Sequence, residues 1–272
     1  MKVSVITVCW NSGGTIAAAM ESVLAQRGVE VEYIVVDGGS KDGTVERIKE
    51  YAEKFGGRMR WTSERDEGMY DAINKGIAMA SGDIVGILNA DDMLEGPETL
   101  RRIAEAFEQT KPGESLAGGI QAGAGEGESP RVEAVYADVR FVKADLATTV
   151  RYYSAKHWRP WMHNFGYMPP HPSVYIRREV FARLGGYKLG YQISADFELM
   201  VRYLCRNRVK ARYLDESVVK MRLGGKSTKN WRANVLLNVE NVRANRENGY
   251  WCCMAMMVPK YLFKVWGFVF RR

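Results

Sequence analysis

Three features of the sequence predict an α/β fold with a doubly wound, mostly parallel sheet flanked by helices. Val3 to Val8 and Tyr33 to Val36 are short β-branched runs without polar alternation, the pattern of strands buried on both faces. Segments with apolar residues at helical spacing separate such runs, as the repeated strand–helix units of a parallel sheet require. Polar and acidic residues also follow apolar runs directly, where open α/β sheets gather their ligands.

The first strand, Val3 to Val8, is followed by a helical face of Ile16, Met20, Val23 and Leu24. After the second strand, Val45, Ile48, Ala52 and Phe55 form another helix, Arg60 to Thr62 a short strand, and Met69, Ile73, Ile77 and Ala80 a third helix. A strand is expected at Asp83 to Leu88. Pro97, in first-turn position, then opens a helix carrying Leu100, Ile103, Ala104 and Phe107. Residues 111–130 break the rhythm with Gly, Ala, Glu and Ser, a composition that buries too little area to order itself, and read as a flexible insert. Strands follow at Val135 to Phe141 and Ser173 to Ile176. Next come helices at Arg178 to Leu184, stopped by Gly185-Gly186, and at Ala195 to Cys205, and strands near Tyr213 and at Val218 to Met221.

With 272 residues, 46% hydrophobic and 26% charged, the chain has material for a sizeable core, which excludes disorder, collagen-like structure and a disulfide-stapled miniprotein. Cys9, Cys205, Cys252 and Cys253 make no C-x-x-C pair, so reduced thiols are expected rather than zinc or a disulfide framework. No signal-like segment precedes the first strand, and the expected location is cytoplasmic.

Three strand ends carry candidate ligands: Thr7, Cys9 and Asn11 after the first, Asp37 after the second, and Asn89, Asp91 and Asp92 after the strand at 83–88. No strand precedes a G-x-G-x-x-G, and no G-x-x-x-x-G-K-[ST] occurs, so dinucleotide and P-loop sites are excluded. An acidic cluster on such a sheet suits a divalent metal holding a diphosphate. Asp91 and Asp92 offer hard oxygen ligands for Mg²⁺ or Mn²⁺. Asp92 equally suits a cap for the next helix, and Asp37 an Asx-turn through Gly38-Gly39.

The ordered blocks VSVITVCWN, VVDGGSKDGT and SERDEGMYDAINKGIAMASGDIVGILNADD resemble the N-terminal half of glycosyltransferase family 2, enzymes of the GT-A fold. PPHPSVYIRREVFARLGGY, ISADFEL and VVKMRLGGKS are similar to the branch that builds bacterial exopolysaccharides and O-antigens. The resemblance implies a GT-A-type domain over 1–230 and a nucleotide-diphosphate sugar over the sheet edge. Thr7, Asn11 and Asp37 would surround its base and ribose, with Asp66 nearby. Asp91 matches the metal-binding Asp of the family's DxD motif, whose first Asp is Asn89 here. Asp196 matches the catalytic base.

A sugar hydroxyl is a poor nucleophile, so a carboxylate must take its proton as the new bond forms. Asp196 acting opposite the leaving group implies inversion. The departing diphosphate needs positive charge, from the metal and from Arg222 or Lys226. His171, between Pro170 and Pro172, suits an acceptor pocket or a buried hydrogen bond. Tyr70 and Asp71 open the helix after a glycine turn, where they reach the donor, or where Asp71 complements the helix dipole. Trp158, Trp161 and Phe165 suit stacking on sugars, or a core or interface. A sugar-phosphate nucleotidyltransferase is the alternative enzyme, but CWNSGGTI lacks the basic residue that would hold a triphosphate.

Charge divides the chain. Residues 202–272 carry 16 Lys and Arg against 4 Asp and Glu, a net of +12, leaving −5 for residues 1–201. Spanning a bilayer with Tyr250 to Arg272 would cost about 5–7 kcal/mol for Lys260 and Lys264, while its apolar residues return about 2–4 kcal/mol. A helix opened by Pro259 places Lys260, Lys264, Gly267 and Arg271 on one stripe, as suits the plane of a membrane surface. Packing on the domain or on a second subunit is the alternative. Residues 231–272 thus read as a basic, amphipathic helical region in peripheral contact with the inner face of the plasma membrane. A saccharide or lipid-linked saccharide is the expected acceptor. Nucleic acid is not an expected partner, because the strongest motifs lie in the acidic part.

Overall fold

The computed structural model describes residues 1–108, 131–223 and 231–259. The insert expected at 111–130, Lys226 and the terminal helix beyond Pro259 lie outside the described residues. The elements β1 (Lys2–Cys9), α1 (Ile16–Leu24), β2 (Glu30–Asp37), α2 (Thr44–Phe55), β3 (Met59–Ser63), α3 (Met69–Met79) and β4 (Ile84–Ile87) follow the alternation read from the sequence. They are succeeded by β5 (Met93–Leu94), α4 (Thr99–Glu108), β6 (Ala134–Val142), β7 (Thr149–Tyr153), β8 (Tyr175–Arg177), α5 (Arg178–Leu184), α6 (Ala195–Met200), β9 (Ala211–Arg222) and α7 (Trp231–Glu247).

One nine-stranded sheet runs β3-β2-β1-β4-β8-β6-β9-β5, with β7 paired to β6. The half formed by β3, β2, β1 and β4 is parallel throughout. In the other half β8 is antiparallel to both β4 and β6, while β6 and β9 are parallel. The sheet is therefore mixed, with its parallel character concentrated at the N-terminal side.

Alternation along β1 and β2 sends side chains into two cores. Val3, Val5, Tyr33 and Val35 pack with Ile16, Met20, Ile48, Phe55, Leu100 and Ile103 of α1, α2 and α4. Ile6, Val8, Ile34 and Val36 pack with Tyr70, Ile73, Val180, Phe181, Phe197 and Leu199 of α3, α5 and α6. Helices thus cover both faces, as the two-sided apolar runs require. Each fully buried aliphatic side chain contributes about 1.5–3 kcal/mol. A Cβ on Gly76 would fall 2.4 Å from Ile6 Cγ2, so α3 rests on β1 at a distance that only glycine permits.

Several boundaries differ from the sequence reading for identifiable reasons. The two strands expected near Tyr213 and Val218 are the single strand β9. Its pairing with β6 jumps from Ala137–Leu214 to Asp138–Ser217, and the bulged Asp215 and Glu216 interrupt the apolar pattern. The chain before β8 forms a 3-10 turn, His171–Ser173, since Pro172 has no N–H to give a ladder. Helix α4 begins at Thr99 rather than at Pro97; the Pro97 carbonyl instead accepts from the Arg27 amide at 2.7 Å. Helix α6 continues as a π-helical turn, Val201–Arg206.

Helix α7, just past the division expected at residue 230, packs against α6. Its buried face mixes polar and apolar side chains: Glu240, Asn241 and Asn245 are 5%, 3% and 0% exposed beside Val242 and Ala244, and buried polar groups need specific partners. Asn245 meets the His163 ring and carbonyl.

Candidate active site

At the ends of β1, β2 and β3, one buried carboxylate organises the loops. Asp37 is fully buried and accepts from the Gly39 amide at 3.1 Å, the Ser40 amide at 2.9 Å, the Ser63 hydroxyl at 2.7 Å and the Ser40 hydroxyl. Burial alone would raise its pKa, but the Ser40 and Ser63 hydroxyls outweigh it and hold the group below its usual value. Asn11 adopts a left-handed φ of 49°, which asparagine tolerates. Its amide donates to Ser40 Oγ at 2.7 Å and its Oδ1 accepts from the Lys41 amide at 3.0 Å. Thr7 is buried, taking a hydrogen bond from the Tyr33 hydroxyl at 2.9 Å. A Cβ on Gly38 would lie 2.6 Å from Asp66 Oδ2, so Asp66 closes over this turn. Its Oδ1 accepts from the Gly68 amide at 2.9 Å. Asp71 accepts from the Glu67 amide at 3.2 Å and pairs with Lys75 at 3.4 Å. Trp10, 60% exposed, projects at the same edge.

The ends of β4 and β9 bring an acidic turn against an arginine. Asp92 is 2% exposed. It accepts from Asn89 Nδ2 at 2.8 Å and from the Arg222 amide at 3.1 Å. Burial, reinforced by the adjacent Asp91 charge, pushes its pKa up to about 7. Asp91 is half-buried, and its side chain has no protein hydrogen bond among the described residues. The Arg222 guanidinium lies over this turn, donating to the Asp91 carbonyl at 3.4 Å and to the Ala144 carbonyl at 3.3 Å. A half-buried carboxylate beside a guanidinium provides one hard ligand for a cation and a partner for a diphosphate oxygen. Among the described residues no cluster of three or more His, Cys, Asp or Glu is arranged to hold a metal by itself. The donor set therefore fits a cation shared with phosphate rather than a protein-only cage.

A second cluster gathers around the first turn of α6. Tyr70 donates to the Ile193 carbonyl at 2.5 Å and lies 3.4 Å from Asp196 Oδ1. The Tyr70 and Tyr187 rings stack at 5.8 Å, and the Tyr187 hydroxyl meets His171 Nε2 at 2.5 Å. Burial raises the pKa of Asp196, opposed by the nearby His171 and by the Phe197 amide. Burial lowers that of His171, partly opposed by Asp196. The pair has the reciprocal environment expected of a proton-handling site.

Sheet register places both clusters on one edge. Because β8 runs antiparallel to β4, with Tyr175 opposite Gly86, the His171–Ser173 turn lies beside the carboxyl end of β4, just before Asn89. Arg222 closes β9, whose Lys220 pairs with Met93. Thus Asp37 and Arg222 at strand ends, Asn11, Asp66, Asn89, Asp91 and His171 in the connections, and Asp196 in the first turn of α6 gather at the carboxyl edge, the ligand-binding side of open α/β sheets.

Of the aromatic candidates, Trp158 is buried with its Nε1 donating to the Tyr167 carbonyl at 3.2 Å, which makes it core. Trp161 is 58% exposed and meets Phe165 edge-on. The sequence reading did not single out Tyr187, Ser40, Ser63 or Glu240. A tyrosine directly after Gly185-Gly186 was the available signal for Tyr187.

Comparison with known proteins agrees with this architecture. The model of glycosyl transferase family 2 matches residues 4–185. An uncharacterised glycosyltransferase of Mycobacterium tuberculosis is 31% identical over 202 residues, covering 74% of this chain and 68% of the relative. A PGL/p-HBAD biosynthesis glycosyltransferase of Mycobacterium bovis is 27% identical over 211 residues, covering 78% and 73%. Among solved structures, Staphylococcus aureus TarS 1-349 in complex with UDP-GlcNAc aligns with a TM-score of 0.60 at 15% identity, covering 90% of this chain and 68% of that one. The chain spans 40% of the longer S. aureus TarS chain. The mannosyltransferase PcManGT of Pyrobaculum calidifontis, in complex with GDP-Man and Mn²⁺, aligns at 0.59 with 19% identity, covering 89% and 64%. These likenesses establish a GT-A fold, and the family match sets aside the nucleotidyltransferase alternative. With the family's sequence pattern running through more than half of its length, the chain belongs to glycosyl transferase family 2 and is a glycosyltransferase.

Proposed function

We propose that the protein is an inverting, metal-dependent glycosyltransferase that moves a sugar from a nucleotide-diphosphate donor to a saccharide acceptor, lipid-linked, in polysaccharide biosynthesis of the exopolysaccharide and O-antigen type. The observation that carries this reading is the placement of Asp91 with Arg222, and of Asp196 with His171, on one sheet edge. The nucleotide lies along β1 to β3, where Asn11, Asp37 and Asp66 shape the loops and Trp10 offers a stacking face for the base. Tyr70 and Asp71 border the sugar.

Asp91 is the carboxylate that would hold Mg²⁺ or Mn²⁺; Asp92, whose two oxygens are engaged by Asn89 and Arg222, shapes the turn. When bound, the cation supplies charge neutralisation for the diphosphate. Arg222 would add a fixed positive charge toward the same diphosphate. Asp196 accepts the proton of the attacking hydroxyl from the side opposite the leaving group, which inverts the anomeric centre. His171, held by Tyr187, lines the acceptor side. Solved neighbours carrying UDP-GlcNAc, or GDP-Man with Mn²⁺, support a nucleotide-sugar donor and a divalent ion.

The reading includes peripheral membrane contact at the cytoplasmic face. No helix among the described residues is long and apolar enough to cross a membrane. Exposed Trp231 and Trp251, in a region rich in arginine, suit the headgroup level of a bilayer. The direct test of the chemistry is Asp196→Asn. Transfer should fall at least about 100-fold with donor binding retained; transfer near the wild-type rate by a folded variant refutes the base assignment.

A further inference from the structure

The loop that delivers Asp196 is held from two sides, and one holder lies far along the chain. Glu240 of α7 is 5% exposed. Its Oε1 accepts from the Gln192 amide at 2.7 Å, and its Oε2 accepts from the Ile193 amide at 3.0 Å and the Ser194 amide at 2.8 Å. Three consecutive backbone amides thus converge on one carboxylate immediately before the first turn of α6. On the other side the Ile193 carbonyl takes the Tyr70 hydroxyl at 2.5 Å. Charge-assisted bonds from backbone amides to a buried carboxylate are among the stronger restraints a protein can place on a loop. Glu240 also lies outside the residues matched by the family model, which end at 185.

We infer that Glu240 is a positioning residue, which fixes the Gln192–Ser194 loop and thereby sets the direction of the Asp196 carboxylate toward the acceptor hydroxyl. The inference rests on Asp196 being the base. Glutamine at 240 keeps the size but turns a donor toward one of the amides, so the loop loses a restraint while α7 keeps its packing. A misplacement of about 1 Å at the reacting group costs on the order of 100-fold in rate.

The test compares Glu240→Gln, Glu240→Asp and Asp196→Asn in steady-state transfer assays, with donor binding measured separately by metal-dependent thermal shift. Glu240→Gln should lower kcat about 10- to 100-fold, leave the donor KM within about twofold, and move the acid limb of the kcat profile. Glu240→Asp, which keeps the charge but reaches less far, should fall between Glu240→Gln and wild type; it carries the test if the glutamine variant does not fold. A purely structural role would lower the melting temperature and the yield of folded enzyme, while the folded fraction kept wild-type kcat and pH profile; that result overturns the inference. Asp196→Asn separates the two failures. If it abolishes transfer while both Glu240 variants are unimpaired, only the positioning role is lost. If Asp196→Asn is itself active, the base reading fails and the Glu240 role falls with it.

Discussion

Across 126 residues of chain, the Tyr70 hydroxyl comes within 3.4 Å of Asp196 Oδ1. Tyr70 belongs to the helix that follows the glycine turn, on the side assigned to the donor, and Asp196 to the helix assigned to acceptor activation. Their proximity links the two halves of the site, and Tyr70 itself is buried with its hydroxyl donated to the Ile193 carbonyl. Tyr70→Phe should leave the ring stack on Tyr187 intact while freeing that carbonyl. The expected outcome is a fall in kcat of about 3- to 20-fold, the value of one neutral hydrogen bond of about 0.5–1.5 kcal/mol with loop loosening added. A kinetic titration of donor and acceptor checks it, the donor KM changing less than kcat.

Arg222 donates to the Asp91 carbonyl, and in the proposed mechanism it meets the diphosphate charge as it develops. Arg222→Ala should reduce kcat/KM for the donor by about 10- to 100-fold, since a hydrogen bond to a charged group contributes about 1.5–3 kcal/mol. Arg222→Lys should recover only part of this, because a point charge does not reproduce the planar fork. An equal loss of affinity for the nucleoside alone and for the nucleoside diphosphate would argue against a diphosphate contact.

The two adjacent aspartates should behave differently. Asp91→Asn should abolish the extra thermal stabilisation that Mn²⁺ gives a nucleotide diphosphate complex. Asp92→Ala removes a buried acceptor of two hydrogen bonds and should lower stability by about 1–3 kcal/mol while the Mn²⁺ effect persists. Differential scanning fluorimetry with and without the metal reads both.

Activity should fall on acidification through a value above that of an exposed aspartate, about 3.9, because burial raises the pKa of Asp196 and the base works only when deprotonated. The nearby His171 acts in the opposite direction, favouring the charged carboxylate. His171→Ala should therefore shift the acid limb of kcat/KM to still higher pH. A shift to lower pH would contradict the pairing.

Away from the site, Glu32 of β2 ties β1, β3 and the turn between α3 and β4 together. It accepts from Ser4 at 2.5 Å, from the Ser81 amide and hydroxyl at 2.8 Å each, and from Arg60 at 2.6 Å. Burial opposes its ionisation, but these bonds, from Ser4 and Ser81 and then Arg60, lower its pKa from 4.5 to about 2. The resulting stability is present above about 4.5 and is lost as pH falls through about 2. Glu32→Gln should cost about 1–3 kcal/mol at neutral pH, and the gap to wild type should narrow on acidification over that window in urea titrations.

Much of the fold was legible because β1, β2 and β4 are buried on both faces and their helices carry clean apolar stripes. The strand-end acids were legible for the same reason: they stand directly after those runs. Strand β5 has two residues, and β7 is a short strand with none of its five residues buried, so neither stands out as an apolar run. The bulge at Asp215 and Glu216 split β9 on paper. Tyr187 and Glu240 escaped because their roles depend on tertiary neighbours; a glutamate among Asn and Arg in a helix reads as exposed until α6 is packed on it. Asp37 shows the converse, since the Asx-turn and the donor-side placement both arise from one carboxylate in one loop.

The decisive measurement is a crystal structure of the protein with a non-hydrolysable nucleotide-diphosphate sugar and Mn²⁺. The diphosphate should lie between Asp91 and Arg222, with the anomeric carbon turned toward Asp196 and open to a hydroxyl from that side. A donor bound away from the carboxyl edge, or one whose sugar points away from Asp196, would contradict the assignment of clamp and base.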